Sequence, residues 1–151
     1  MNAAVPIDAQ SKPSETRPVS AAAIGSVPVL LRAEALIEVA LAVAAYRYVG
    51  GTWPVFALLF LAPDVTMGGY LANPRVGARL YNGGHTYLAP ALLALAGFMM
   101  AIPLLYSLAL IWAAHIGFDR LLGYGLKDPA AFGATHLGWK GPRRSAIGSE
   151  P

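Results

Sequence analysis

Cysteine is absent from this chain. That excludes a disulfide framework, a thiolate metal site and a thioether-attached haem. Charge is also scarce. Only 13% of residues are Asp, Glu, Lys or Arg, against about 25% in soluble domains. No Gly-rich loop follows a strand-like run, so no phosphate-binding fingerprint is present, and no nucleic-acid-binding motif occurs. Period-two alternation is missing from stretches such as Leu58–Leu61 and Ala91–Ala96, which argues against strands there.

What remains is strongly apolar. Of 151 residues, 56% are hydrophobic, and the mean hydropathy is +0.53. The apolar material falls into four runs, about 29–49, 54–72, 76–97 and 104–124. Each approaches the roughly 20 helical residues that cross a hydrocarbon core of about 30 Å. Short Gly/Pro/Asn separators such as Gly50-Gly51-Thr52 and Asn73-Pro74-Arg75 suit turns between antiparallel neighbours. The expected fold is an all-α integral membrane four-helix bundle over residues 29–126. Residues 1–28, rich in Ala, Pro and Ser, read as a disordered cytosolic lead. They do not read as a cleaved signal peptide, because the first apolar run starts late and contains Arg32, Glu34 and Glu38. Residues 127–151 read as an irregular basic cytosolic tail.

Positive charge near span ends sets topology. Four spans put both termini on one side. With that side cytoplasmic, all of the 11 Lys and Arg residues except Arg47 lie inside or near the inner surface. The expected location is therefore the bacterial inner membrane, multi-pass, with both termini in the cytoplasm. The net charge of +3 is accounted for by attraction of basic flanks to anionic lipid. The bilayer, a lipid-like substrate and a second copy of the chain are the expected partners, and nucleic acid is not.

The scarce polar groups are not scattered at random. Glu38, Asp64, His85 and His115 fall on four different runs, each roughly 12–14 Å in from the cytoplasmic end at helical rise. Glu34 and Glu38 are four apart, Asn82 and His85 three apart, and His115 and Asp119 four apart, so each pair shares a helix face. Asp64 follows Pro63, which loosens the backbone there. Ionisable groups at such depth usually face a bundle interior and mark a site. Two imidazoles with two or more carboxylates suit Zn, Fe or Mn. The candidate ligands are Asp64, His85, His115 and Asp119, with His136 as a third imidazole. Glu38 and Asp64 are the candidate catalytic carboxylates. Glu34, Arg79, Asn82, Arg120, Tyr70 and Tyr81 are candidate supporting residues. No strict Glu-x-x-His occurs.

Other readings of the same residues stand beside this one. Arg32, Arg79 and Arg120 could pair with Glu34, Asp64 or Asp119 and merely fix helix orientation, which makes the chain a scaffold or partner subunit. His85 and His115 could be axial ligands of one haem. A chain of buried acids and imidazoles could relay protons or ions. Gly68-Gly69 and Gly83-Gly84 read first as small residues that let helices approach.

The motif string carries a resemblance. Pro63-Asp64-x-x-Met67-x-Gly69-Tyr70-Leu71 is followed by Pro74-Arg75-x-Gly77-x-x-x-Tyr81-Asn82-x-x-His85-x-Tyr87. His115-Ile116-Gly117-Phe118-Asp119-Arg120-x-Leu122-Gly123-Tyr124-Gly125-Leu126-Lys127 and Thr135-His136-Leu137-Gly138 complete it. From about Leu31 to Gly138 the chain resembles the bacterial membrane-protein family called domain of unknown function 4260. The segment from Asp128 to Ala134 departs from that family's more polar linker. The resemblance implies a small integral membrane protein and brings no activity and no catalytic residue. A looser likeness to membrane metal-dependent hydrolases, which also combine Pro-Asp with scattered intramembrane histidines, is an analogy only.

Overall fold

The computed structural model describes residues 21–128, 131–135 and 137–139. Among these the chain is mostly helical. Helix α1 spans Ala21–Tyr48, α2 Trp53–Phe60, α3 Pro74–Gly84, α4 Leu88–Met100 and α5 Pro103–Leu122, with a 3-10 helix over Ala62–Leu71 between α2 and α3. The helices start where prolines allow. Pro54, Pro74 and Pro103 all fall in the first turn of a helix, where a missing N–H costs nothing and the fixed φ fits. Asn73 caps α3, its side chain accepting from Val76 N at 2.9 Å. Gly123, at φ 82°, closes α5 in the left-handed region that favours glycine.

Three expectations need correction. Helix α1 begins at Ala21 rather than at 29, so the helical part reaches into the expected lead; residues 1–20 lie outside the described residues. The expected third span, 76–97, is broken. It is two helices, α3 and α4, separated at residues 85–87. The break follows Gly83-Gly84, and Pro90 then sits in the first turn of α4, where it starts a new helix rather than continuing the old one. The tail is not irregular throughout. Strands β1 Lys127–Asp128, β2 Ala131–Thr135 and β3 Gly138–Trp139 form an antiparallel sheet in that order. Lys127 pairs with Thr135, and Ala134 with Trp139.

Two segments are long and apolar enough to cross a membrane: the continuous helical stretch Trp53–Leu71 and α5. Helix α4 is apolar but shorter, and α1 carries Arg32, Glu34, Glu38 and Arg47 within its length. A regular bundle of four equal spans is therefore not what the chain forms.

Packing centres on α5. Helix α1 lies along one side of it and α4 along another, while α3 packs on the 3-10 helix. The buried face of α1 is Ala35, Ala42 and Tyr46; that of α5 includes Ala109, Ile111, Ala114 and Ile116. Small side chains let the two backbones approach. At Gly117 a Cβ would stand 2.9 Å from Val39 of α1, so only glycine fits that crossing. Tyr46 is the largest fully buried residue, and its hydroxyl donates to Thr52 O at 2.8 Å.

Helix α3 carries the sheet, and Asn82 fastens it to β1. Asn82 Nδ2 donates to Lys127 O at 2.9 Å, and Lys127 N donates to Asn82 Oδ1 at 2.7 Å. This reciprocal pair extends α3 into β1. Replacing Asn82 by alanine should leave both Lys127 backbone groups without it, a local loss of about 1–3 kcal/mol. Hydrogen exchange is expected to accelerate at Lys127 while α5 stays protected.

Candidate metal centre

The break between α3 and α4 positions the first ligand. His85 caps α3, and its backbone N donates to Tyr81 O at 2.8 Å. Its ring Nδ1 reaches the same carbonyl at 2.9 Å. A carbonyl oxygen cannot donate, so Nδ1 carries the hydrogen, and in the neutral ring Nε2 presents a lone pair. The Tyr81 ring stacks on the imidazole, centroids 3.8 Å apart and planes 13° apart. Arg120 Nη2 donates to His85 O at 2.9 Å, and Arg120 Nη1 donates to Tyr124 O at 3.1 Å. The imidazole is thus held by Tyr81 at Nδ1 and on one face, and Arg120 holds the His85 backbone.

The second ligand comes from α5. His115 is 2% exposed. Its Nε2 stands 3.2 Å from His85 Nε2, and Phe60 of α2 packs its ring edgewise against it at 5.3 Å. His115 Nδ1 is buried and has no hydrogen-bond partner among the described residues. The third group, Asp64, is in the first turn of the 3-10 helix, where Pro63 ends α2. Asp64 Oδ1 lies 3.3 Å from His85 Nε2 and 3.6 Å from His115 Nε2. The fourth is Asp119, one helical turn beyond His115. Its Oδ2 is 3.6 Å from His85 Nε2 and accepts from the Tyr81 hydroxyl at 3.1 Å. All four donor atoms lie within 4.8 Å of one another.

This apposition has a physical consequence. With its hydrogen on Nδ1, His85 aims a lone pair at a carboxylate and at a second imidazole. His115 Nε2 can carry at most one hydrogen. Acceptors facing acceptors in a buried site repel unless a proton or cation sits among them. The distances suit a cation. Ligand atoms at the corners of a tetrahedron stand about 1.6 bond lengths apart, roughly 3.3–3.4 Å for metal bonds of about 2.0–2.1 Å. His85, His115 and Asp64 make edges of 3.2, 3.3 and 3.6 Å. The Nδ1–H to backbone carbonyl bond of His85 is the outer-shell contact that ordinarily fixes a metal-binding imidazole. The same 3.2 Å separation does not suit axial ligation of one haem, whose trans nitrogens must stand about two bond lengths, roughly 4 Å, apart with the macrocycle between them.

The remaining candidates fall elsewhere. Glu38 is not in the donor group; with Tyr87 and Arg120 it lines a separate cavity of about 370 Å³. This corrects its expected place beside Asp64, and the cause is the turn of α1, which gives Ala35, Ala42 and Tyr46 to the interface. Glu34 lines that same cavity and is exposed, as is Arg79 on α3. Tyr70 packs its ring where a side chain on Gly77 would otherwise be, 2.3 Å from the position of a Cβ. The expected Arg120–carboxylate pairing is replaced by bonds to two backbone carbonyls. His136 lies outside the described residues.

The sequence reading passed over three residues that build the site's surroundings. Trp112 Nε1 donates to Gly84 O at 2.7 Å and so clamps the turn before His85. Thr66 fills the space beside Gly84, where a Cβ would stand 2.7 Å away. Lys127 is 8% exposed, with its Nζ 5.0 Å over the Tyr81 ring. Burial pushes its ammonium below the usual lysine range, and Asp119 acts in the opposite direction. Trp112 was legible in part, since it lies three residues before His115 and shares its face.

Fold and site together define a mostly helical protein with apolar segments of membrane-spanning length and a His/Asp donor group whose two imidazoles are buried. Residues 28–139 match the family described as Domain of unknown function (DUF4260), and the chain belongs to that family. No curated protein and no solved structure matches it.

Proposed function

We propose that Asp64, His85, His115 and Asp119 hold a divalent metal ion of the zinc, iron or manganese class in a membrane-embedded hydrolase that acts on a lipid-like substrate. The observation that carries this reading is the triangle of His85 Nε2, His115 Nε2 and Asp64 Oδ1, with edges of 3.2, 3.3 and 3.6 Å. Two imidazoles and one carboxylate are a ligand set used by catalytic zinc sites, which keep a further position open. The ion would supply Lewis acidity, bringing proton loss from water toward neutral pH.

The side chains divide the work. His85 and His115 supply neutral nitrogens, and Asp64 supplies charge at the open side, its side chain 38% exposed. Asp119, drawn toward the Tyr81 hydroxyl, stands across from Asp64 as fourth ligand or general base. The base role thereby passes from Glu38 to Asp119. Membrane embedding is supported by where the apolar surface lies. Few positions of the Trp53–Leu71 stretch are buried within the protein; Phe56 and Phe60 pack inward, while several other apolar side chains face outward and need a nonpolar surround. Leu58, Leu61 and Leu71 are 79%, 61% and 93% exposed. The charge count favours both termini on the cytoplasmic side of a bacterial inner membrane.

The test is direct. Protein purified in detergent without added chelator should contain about one metal ion per chain, as tetrahedral sites are filled by one. Chelation should remove it and lower the melting temperature. A metal-free preparation whose melting temperature ignores chelator would leave the scaffold reading in its place. Tyr81→Phe is expected to keep the metal but weaken it by about tenfold, the usual scale for an outer-shell partner, as read by competition with a chromophoric chelator.

A further inference from the structure

An apolar groove is lined in part by chain neighbours of the site residues. It lies between the end of α2, the 3-10 helix, α4 and α5, with a volume of about 270 Å³. Pro63, Thr66, Leu93, Leu108, Ile111 and Trp112 line it. Its inner end is close to three of the four donor residues by covalent connection. Pro63 precedes Asp64, and Ile111 and Trp112 stand one turn before His115 on α5. Thr66 meets Gly84, which precedes His85.

Among the described residues the groove wall is almost wholly apolar. Thr66 Oγ1 donates to Pro63 O at 2.7 Å, and the Trp112 indole N–H donates to Gly84 O at 2.7 Å. Both polar side chains are turned inward onto backbone carbonyls. What fits is hydrocarbon. At about 30 Å³ per water-sized group, the space takes roughly nine methylenes. The head of such a chain, leaving the groove past Pro63, arrives beside Asp64, the most exposed ligand of the cluster.

We infer that this groove is the tail subsite of the proposed hydrolase: it holds one linear alkyl or prenyl chain of an amphiphile whose polar head is presented to the metal centre. The inference rests on the metal-centre reading for the head and on the groove's own chemistry for the tail.

The experiment uses the full chain in phosphatidylcholine nanodiscs. Two probes share a nine-carbon chain ending in a diazirine; one has a hydroxamate head, which chelates zinc, and the other a plain hydroxyl. After photolysis, the labelled residues are mapped by mass spectrometry. Labelling should concentrate on Leu93, Leu108 and Ile111, at several-fold over the lipid-facing residues Leu58 and Leu92. It should be stronger for the hydroxamate when zinc is bound. Ala62→Phe, a bulky change at an exposed residue of the groove wall, should abolish the concentration without altering bound zinc. Leu93→Trp is a second way of filling the space should the first fold poorly. Labelling spread evenly over lipid-facing residues, or unchanged in both filled variants, overturns the tail subsite while the zinc content stands. Equal labelling by both heads in zinc-loaded protein overturns the link between groove and metal. Absence of metal from native protein overturns the metal reading by itself, and the hydroxyl probe then still decides whether the groove binds a chain.

Discussion

His85→Gln should empty the metal centre. Glutamine keeps the approximate length and polarity of the side chain but lacks the paired ring nitrogens that bond Tyr81 O on one side and face Asp64 and His115 on the other. Metal affinity is expected to fall by more than about 100-fold, beyond the 10–100-fold typical of losing an outer-shell partner. His115→Gln, on a different helix, should do the same. Glu38→Gln should not, because Glu38 lines another cavity. Metal content by elemental analysis, with far-ultraviolet circular dichroism to confirm helicity, reads the outcome. Stoichiometric metal in a folded His85→Gln protein would sink the assignment. Binding should also weaken on acidification, since protons compete with the ion for imidazole lone pairs.

Gly84→Ala should damage the centre without touching a ligand. A Cβ at Gly84 would lie 2.7 Å from Thr66 Cγ2 and 2.8 Å from its Oγ1. Thr66 is one 3-10 turn past Pro63 and bonded back to it, so relief of the clash moves the segment that carries Asp64. Overpacking of this kind costs about 1–3 kcal/mol, which is roughly a 5- to 150-fold loss if it falls on metal affinity. The double variant Gly84→Ala with Thr66→Ala removes both offending atoms and should recover most of the loss. Chelator competition on the single and double variants measures this. An unchanged affinity in Gly84→Ala would mean that the spacing between α3 and the 3-10 helix does not set the ligand geometry.

The sequence and the structure part company at identifiable residues. The apolar segments were legible because their length and composition have few alternatives. The polar residues stood out because they are few, and the spacing of His115 and Asp119 placed both on one face of α5. The break at residues 85–87 was harder to see, because hydropathy runs on through it. Gly83-Gly84 followed by Pro90 was the available signal: two residues that weaken a helix, then one that prefers its first turn. The placement of Glu38 was out of reach. Depth along a helix can be counted from sequence, whereas rotation about its axis is decided by which neighbour takes the small residues, here Ala35, Ala42 and Gly117. The sheet escaped notice because its strands are two, five and two residues long, too short to show a period. Its attachment depends on Asn82, whose spacing from His85 suggested a ligand face and whose amide instead binds a backbone.

One oxygen atom joins two events that are usually independent. Tyr81 O accepts both the closing hydrogen bond of α3 and the Nδ1 hydrogen of His85. Fraying of that terminal turn would release the ring to rotate and exchange tautomers. Exchange of a metal ion bound there should therefore keep pace with the opening of a single helical turn.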